Sequence, residues 1–478
     1  MTFTSPSFLL LVLAFVLLSN AFPSPRARGV TLALTSGVFI GSYVDTPLQL
    51  LPFAAFLLFG YVSVELLRRG GSRLFLAVLL VGLLSGFVIL KRYSFLAPAV
   101  QLPFPYLVVG LSYVLFRLIH LMVDAQQGEL AGRIPVLQFA NYCLGFLTFT
   151  AGPVQLYPDF VREQLVGPSA GRAEIGAGLS RVVRGFVKVG VASAILNYGF
   201  VALSGRLLTA GAPTPSSTIA LFVCSTVCYA AYLYENFAGY MDIVLGVGAL
   251  GGQRLPENFN HPFAARSFLD FWSRWHMTLS NWFKLYLFNS LLKRLAKRYP
   301  ESRSAPYLAV AAFFVTFLVM GIWHGTTAVF VIYGLLLGAG ASINKGWQVF
   351  AVARFGKKTY KQVCEKPLVV YASRGLTFAY FALALGCLWL DMPQLRELAR
   401  RLGALGLVSS YAAVALGAAL SFAIADALAT GLAPARARLR PVFASGRGHD
   451  FLLAAQVLLV LSVGSFFHKA PEFVYRAF

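Results

Sequence analysis

A chain of 478 residues with 58% hydrophobic side chains, 12% charged ones and a mean hydropathy of +0.71 is too apolar to be a soluble globular protein of ordinary composition. Its formal charge of +22, from 40 Lys and Arg against 18 Asp and Glu, falls in short clusters between apolar runs. That pattern fits membrane orientation and anionic headgroups better than a nucleic-acid footprint, so no nucleic-acid partner is expected and membrane lipids are.

Residues 7–23 form the first apolar segment, and the flank before it, Met1 to Ser7, carries no Lys or Arg, so it reads as a first span rather than a cleaved leader. Further apolar stretches follow at about 30–44, 47–67, 73–91, 106–123 and 135–157, near the ~20 residues that a crossing helix needs. Arg117 and His120 interrupt 106–123, where a re-entrant element is the alternative to a span. Residues 158–188 are polar and basic, with Arg162, Arg172, Arg181, Arg184 and Lys188, and spans resume at about 189–208 and 217–250. The segment 254–304 holds nine Lys or Arg and too much charge to cross lipid freely. The apolar run 305–341 is too long for one untilted helix, which predicts two passes or a break near Gly321. A basic loop, Lys345 to Lys366, precedes spans near 369–391, 404–430 and 450–468.

These stretches predict an all-α polytopic membrane protein of eleven or twelve spans with re-entrant or interfacial helices. We divide it into N-terminal membrane helices (1–157), a central core (158–404) and C-terminal helices (405–478), all one integral unit. The richest positive loops, 158–188, 254–304 and 342–368, share the cytoplasmic side if 305–341 crosses twice, which puts the C-terminus outside. Arg68, Arg69 and Arg73 then fall on the wrong side by alternation, so the N-terminal third has no settled orientation. Cys143, Cys224, Cys228, Cys364 and Cys387 show no CxxC pair or zinc spacing and read as small core residues.

Ionisable groups are packed most densely among aromatics between Tyr234 and Phe288. Ser267 to Ser290 is compatible with one helix, on which Phe268, Phe271, Trp272, Trp275, Leu279, Trp282 and Tyr286 form a stripe. Asp270 and Arg274 stand four apart, as do His276 and Ser280, so each pair is expected to share a face. Such a helix lies at the interface or dips into the protein. His324 follows an uncharged run from Leu308 to Trp323, and an ionisable side chain at that depth is a functional-site candidate. Glu235 and Asp242 add carboxylates, for which pairing with an Arg is the simpler use. HExxH, GxSxG, clustered carboxylates and a Cys beside a His are all missing from the sequence. A neutral imidazole suits removal of a hydroxyl proton, the first need of acyl transfer to an alcohol; composition alone also allows a transporter.

Four blocks carry a resemblance: Phe237 to Asp242 (FAGYMD), Pro256 to Phe263 (PENFNHPF), Asp270 to Ser280 (DFWSRWHMTLS) and Gly321 to Gly325 (GIWHG). In order and spacing they resemble the membrane-bound O-acyltransferase (MBOAT) family, in its bacterial branch of alginate O-acetyltransferases and D-alanyl transfer proteins. The matching stretch is about 235–338. Thr150-Ala151-Gly152-Pro153 and the tail Glu472 to Phe478 are weaker echoes, the tail with Arg476-Ala477 where an aromatic is usual. Lys284-Leu285-Tyr286 stands where the branch usually has Arg-Asp-Tyr, so no role passes to that missing Asp.

The resemblance implies a ring of helices around a central tunnel, with His324 as the family's central histidine and His276 as its second position. Tyr240, Asp242, Asn258, Arg274, Trp275, Ser280 and Trp323 fall in the same blocks as candidate substrate-binding positions. No metal and no tightly bound cofactor are expected. The implied donor is a cytoplasmic thioester, acetyl-CoA or an acyl-phosphopantetheine carrier protein, and the implied acceptor an extracytoplasmic polysaccharide or glycopolymer, with a carrier or periplasmic acyltransferase as further partner. Asp242 leans toward the acetyl side of the branch, while Met277 to Ser280 and Lys293-Arg294 lean toward the D-alanyl side. We expect an acyltransferase of the cytoplasmic membrane, favour acetyl, and keep D-alanyl transfer, lipid or protein acylation and transport as alternatives.

Overall fold

The computed structural model describes residues 1–130, 132–165, 171–209, 214–300, 305–444 and 446–466. Among these every regular element is a helix. Eight are long and apolar enough to cross a membrane: Pro47–Arg68, Arg73–Lys91, Glu174–Leu208, Pro215–Leu250, Ala305–Trp323, Val329–Phe355, Pro367–Leu388 and Met392–Gly431. Pro6–Ala21 and Gly448–Gly464 are shorter apolar helices. The protein is a multi-pass membrane protein. Eleven or twelve spans are expected from the sequence, but 106–123 and 135–157 become the short helices Leu111–Gln127, Val136–Leu144 and Phe146–Phe149, and most of the first is buried. Two expected loops are largely helical. Arg172–Val187 runs through a π-helical turn into Ser193–Leu208, and Lys345 and Arg354 ride on Val329–Phe355. Long basic side chains can do this because their stems tolerate apolar surroundings while their heads reach water.

The described residues form two compact units, Met1–Phe186 with Gly239–Glu257, and Val187–Ala238 with residues 258–466. In the first, Arg117 is buried and donates to the carbonyls of Cys143 (2.6 Å) and Thr148 (2.7 Å). His120 accepts at Nε2 from the Tyr157 N–H (2.9 Å), and its Nδ1 faces Asp124 (3.2 Å). The two residues that interrupt 106–123 thus point into protein, where each has polar partners. Gly152 has a steric reason: a Cβ there would collide with the Thr148 backbone.

In the second unit, Ala305–Trp323 and Val329–Phe355 resolve the long apolar run as a helical hairpin, broken just after Gly321 as the sequence predicts. Its arms touch backbone to backbone, since a Cβ on Gly321 would collide with Gly334 and one on Gly334 with the Leu318 carbonyl. Without a hydrophobic drive between helices in lipid, such close approach is what dispersion and weak polar contacts require. The hairpin bend carries His324.

Candidate active site

The helix expected from Ser267 to Ser290 is broken. Ser267 caps Phe268–Trp272, its side chain accepting from Asp270 N (3.2 Å). His276 then takes a left-handed backbone (φ 44°, ψ 51°) and starts Met277–Phe283. That conformation costs a non-glycine residue roughly 1–2 kcal/mol, and Asn258 holds it. The Asn258 Oδ1 accepts from Thr278 N (3.1 Å) and Thr278 Oγ1 (2.8 Å), and its carbonyl accepts from Met277 N (2.9 Å). The same Oδ1 lies 3.2 Å from His276 Nδ1. A backbone N–H can only donate, so the Asn258 atom facing Thr278 is the oxygen; Nδ1 of His276 therefore carries the proton and Nε2 the lone pair.

The break also undoes the expected His276 and Ser280 pairing, because the two no longer lie on one continuous helix. Ser280 Oγ instead donates to the Trp275 carbonyl (3.2 Å). His276 is buried edge-on to Phe237, with ring centroids 4.9 Å apart. Burial pushes its imidazole down to about 3, with the nearby His324 adding to the effect, so the ring is neutral near pH 7. A neutral His276 protonated at Nδ1 offers an acceptor at Nε2. That suits holding a hydroxyl.

His324 follows the last residue of Ala305–Trp323, and its Nδ1 lies 2.7 Å from the Met320 carbonyl one turn back. Carbonyls in a last helical turn lack helix partners, so Nδ1–H donates there and Nε2 again carries the lone pair. The ring is buried, edge-on to Trp323 (4.9 Å) and Tyr333 (5.4 Å). A cavity of about 430 Å³ is lined by Met277, which follows His276, and by Met320, one turn before His324. Trp272, Ser280, Asn281, Lys284 and Thr316 also line it. The Nε1–H of Trp272, one of these lining residues, is buried without a hydrogen-bond partner.

Of the other candidates, Trp275 is a core residue, stacked on Phe271 (5.5 Å) and packed against Phe259 and Phe381. Arg274 pairs with Asp270 at 2.8 Å as expected, but the two side chains are 33% and 31% exposed, so water reaches both. Tyr240 and Asp242 belong to the first unit. The Tyr240 hydroxyl shares a hydrogen bond with Thr150 (3.2 Å). Asp242 is held by Arg181 (3.0 Å) and Arg184 (3.4 Å), the arginine pairing that the sequence favours, and Arg181 also grips Glu257 (2.6 Å). Asn289–Arg298 presents Lys293, Arg294, Lys297 and Arg298 outward with Leu291, Leu292 and Leu295 half-buried, as an interfacial helix should. The sequence singled out neither the Met320 carbonyl, which has no residue signature, nor the Trp272 donor, which looked like one more member of the aromatic stripe.

The helical membrane protein thus buries two histidines, each with Nδ1 as the donor, next in sequence or one turn from residues that line one cavity. The sequence profile of the MBOAT, membrane-bound O-acyltransferase family, matches residues 115–364, just over half of the chain, and the chain belongs to that family. Among its relatives are the teichoic acid D-alanyltransferase of Bacillus subtilis, 31% identical over 48% of this chain and 56% of the relative, and the probable alginate O-acetylase AlgI of Pseudomonas aeruginosa, 30% identical over 52% and 44%. The peptidoglycan O-acetyltransferase of Helicobacter pylori is 36% identical over 26% of this chain and 22% of its own length. The chain spans about half the length of the first two.

Proposed function

We propose that the protein is an O-acyltransferase of the cytoplasmic membrane that carries an acyl group, with acetyl favoured, from a cytoplasmic thioester to hydroxyls of a cell-envelope polysaccharide or related glycopolymer. The observation that carries this is the 2.7 Å bond from His324 Nδ1 to the Met320 carbonyl, which leaves Nε2 as a base in a buried site. Nε2 takes the acceptor hydroxyl's proton as that oxygen bonds to the acyl carbon; the C–S bond then breaks, and the thiolate leaves and recovers the proton. His276, neutral and accepting at Nε2, orients the hydroxyl. The cavity beside Met320 holds the thioester arm. Relatives named as O-acetylases and as D-alanyltransferases make D-alanyl transfer the second reading.

Purified protein in vesicles, given radiolabelled acetyl and D-alanyl thioesters and envelope glycan, separates the two. Label moving from acetyl thioester to glycan supports the first reading, movement from D-alanyl alone the second, and movement from neither with solute flux across the vesicle would establish a transporter.

A further inference from the structure

A second and larger cavity, of about 550 Å³, lies away from the histidines in the second unit. It is walled by the C-terminal half of Val329–Phe355, by Lys357–Cys364, by Pro367–Ala384 from Val369 to Tyr380, and by Tyr411. Its volume is in the range of small-molecule sites. Ile343 and Trp347 in its wall are 67% and 55% exposed on a helix long and apolar enough to cross a membrane, so its mouth opens on lipid.

The chemistry of the wall is divided. Phe355, Val363 and Leu376 make an apolar trough, while Arg266, Asn344 and Ser373 supply polar groups, and no carboxylate is among its described lining residues. Lys357–Cys364 turns Thr359, Tyr360, Val363 and Cys364 to the cavity, and Lys357, Lys358 and Lys361 are exposed on the same helix. The acidic side chain nearest these lysines in sequence, Glu365, is exposed and 4.0 Å from Lys361. An amphipathic basic helix over an apolar trough, with a Trp and a Tyr at the rim, matches a phospholipid at headgroup depth. Basic pockets between membrane helices select anionic headgroups.

We propose that this cavity binds an anionic phospholipid, with an acyl chain in the trough and its phosphate between Arg266 and the lysines of Lys357–Cys364. The site touches the segment that leads to His276. Arg266 N donates to Asp270 Oδ2 (3.0 Å), and Asn344 Oδ1 accepts from Leu269 N (3.2 Å), so two wall residues anchor Phe268–Trp272. A lipid seated there braces that short helix from behind.

The test places the protein in phosphatidylcholine nanodiscs and titrates brominated phosphatidylglycerol or brominated phosphatidylcholine, reading the Trp347 fluorescence as the difference between wild type and Trp347→Phe. The anionic lipid is expected to quench at a mole fraction about fivefold lower or less, since a single basic side chain supplies that much preference. Arg266→Gln with Lys357→Gln, Lys358→Gln and Lys361→Gln should erase the preference. Equal quenching by both lipids, or a Trp347 signal that neither quenches, would overturn the proposal. Fluorescence is independent of acyl transfer, so this outcome does not depend on the assigned activity.

Discussion

Asn258→Ala strikes the residue that makes the His276 conformation possible. It removes one oxygen that serves three partners: Thr278 N at 3.1 Å, Thr278 Oγ1 at 2.8 Å and His276 Nδ1 at 3.2 Å. The Thr278 hydroxyl can turn elsewhere, but the backbone N–H and the buried imidazole N–H cannot. Each stranded donor costs about 1–3 kcal/mol, and the left-handed His276 loses its tether, so the loss is ~2–6 kcal/mol in all. Asn258→Asp keeps an acceptor at the same place and should recover most of the fold while making His276 more basic. Thermal unfolding in detergent, together with kcat for acyl transfer, reads both effects. An Asn258→Ala protein that melts with wild type and keeps its kcat would refute the whole account of how His276 is held.

The pH dependence has a defined sign. His276 is pushed down to about 3 in the folded protein, against 6.5 unfolded. Its contribution is therefore complete above pH 6.5 and is lost as pH falls toward 3, at up to ~1.4 kcal/mol per pH unit. His276→Gln should flatten the fall in melting temperature between pH 6.5 and 4, and an unchanged slope would mean that the ring protonates freely. Arg274→Ala should cost less than about 1 kcal/mol, because a pair that is a third exposed is screened; a loss of several kcal/mol, measured by denaturation, would mean that the pair is shielded from solvent. Replacing Lys293, Arg294, Lys297 and Arg298 with Gln should raise KM for the thioester, more at low salt, with acceptor KM unmoved, because attraction by exposed charge fades beyond about 8–10 Å at physiological ionic strength. If a cysteine at position 297 in intact cells is labelled by an impermeant reagent, that helix is outside and the expected topology fails.

Helix type, the hairpin break after Gly321 and the depth of His324 were legible because each leaves a composition signal: apolar length, a glycine and an isolated ionisable residue. The residues around His276 misled. Spacing of three and four residues made Phe268 to Tyr286 look continuous, whereas the turn at His276 is dictated by Asn258, eighteen residues away, and no local period encodes a distant hydrogen bond. Arg117 shows the same limit. Its sequence context marks an interruption, and only its bonds to the Cys143 and Thr148 carbonyls show that it fastens one helix to the next. Trp275 looked like a ligand position because it neighbours His276, yet its side chain belongs to the aromatic core.

The central claim is that Nε2 of His324, with Nδ1 committed to the Met320 carbonyl, is the base that activates the acceptor hydroxyl. Steady-state acyl transfer by purified His324→Ala, beside His276→Ala, is its most direct measurement. Loss of a general base lowers kcat by about 10²–10⁴, so His324→Ala should fall at least that far with melting temperature little changed, and His276→Ala, which removes only an orienting acceptor, should fall less. Activity of His324→Ala within about threefold of wild type, far inside that range, would contradict the account.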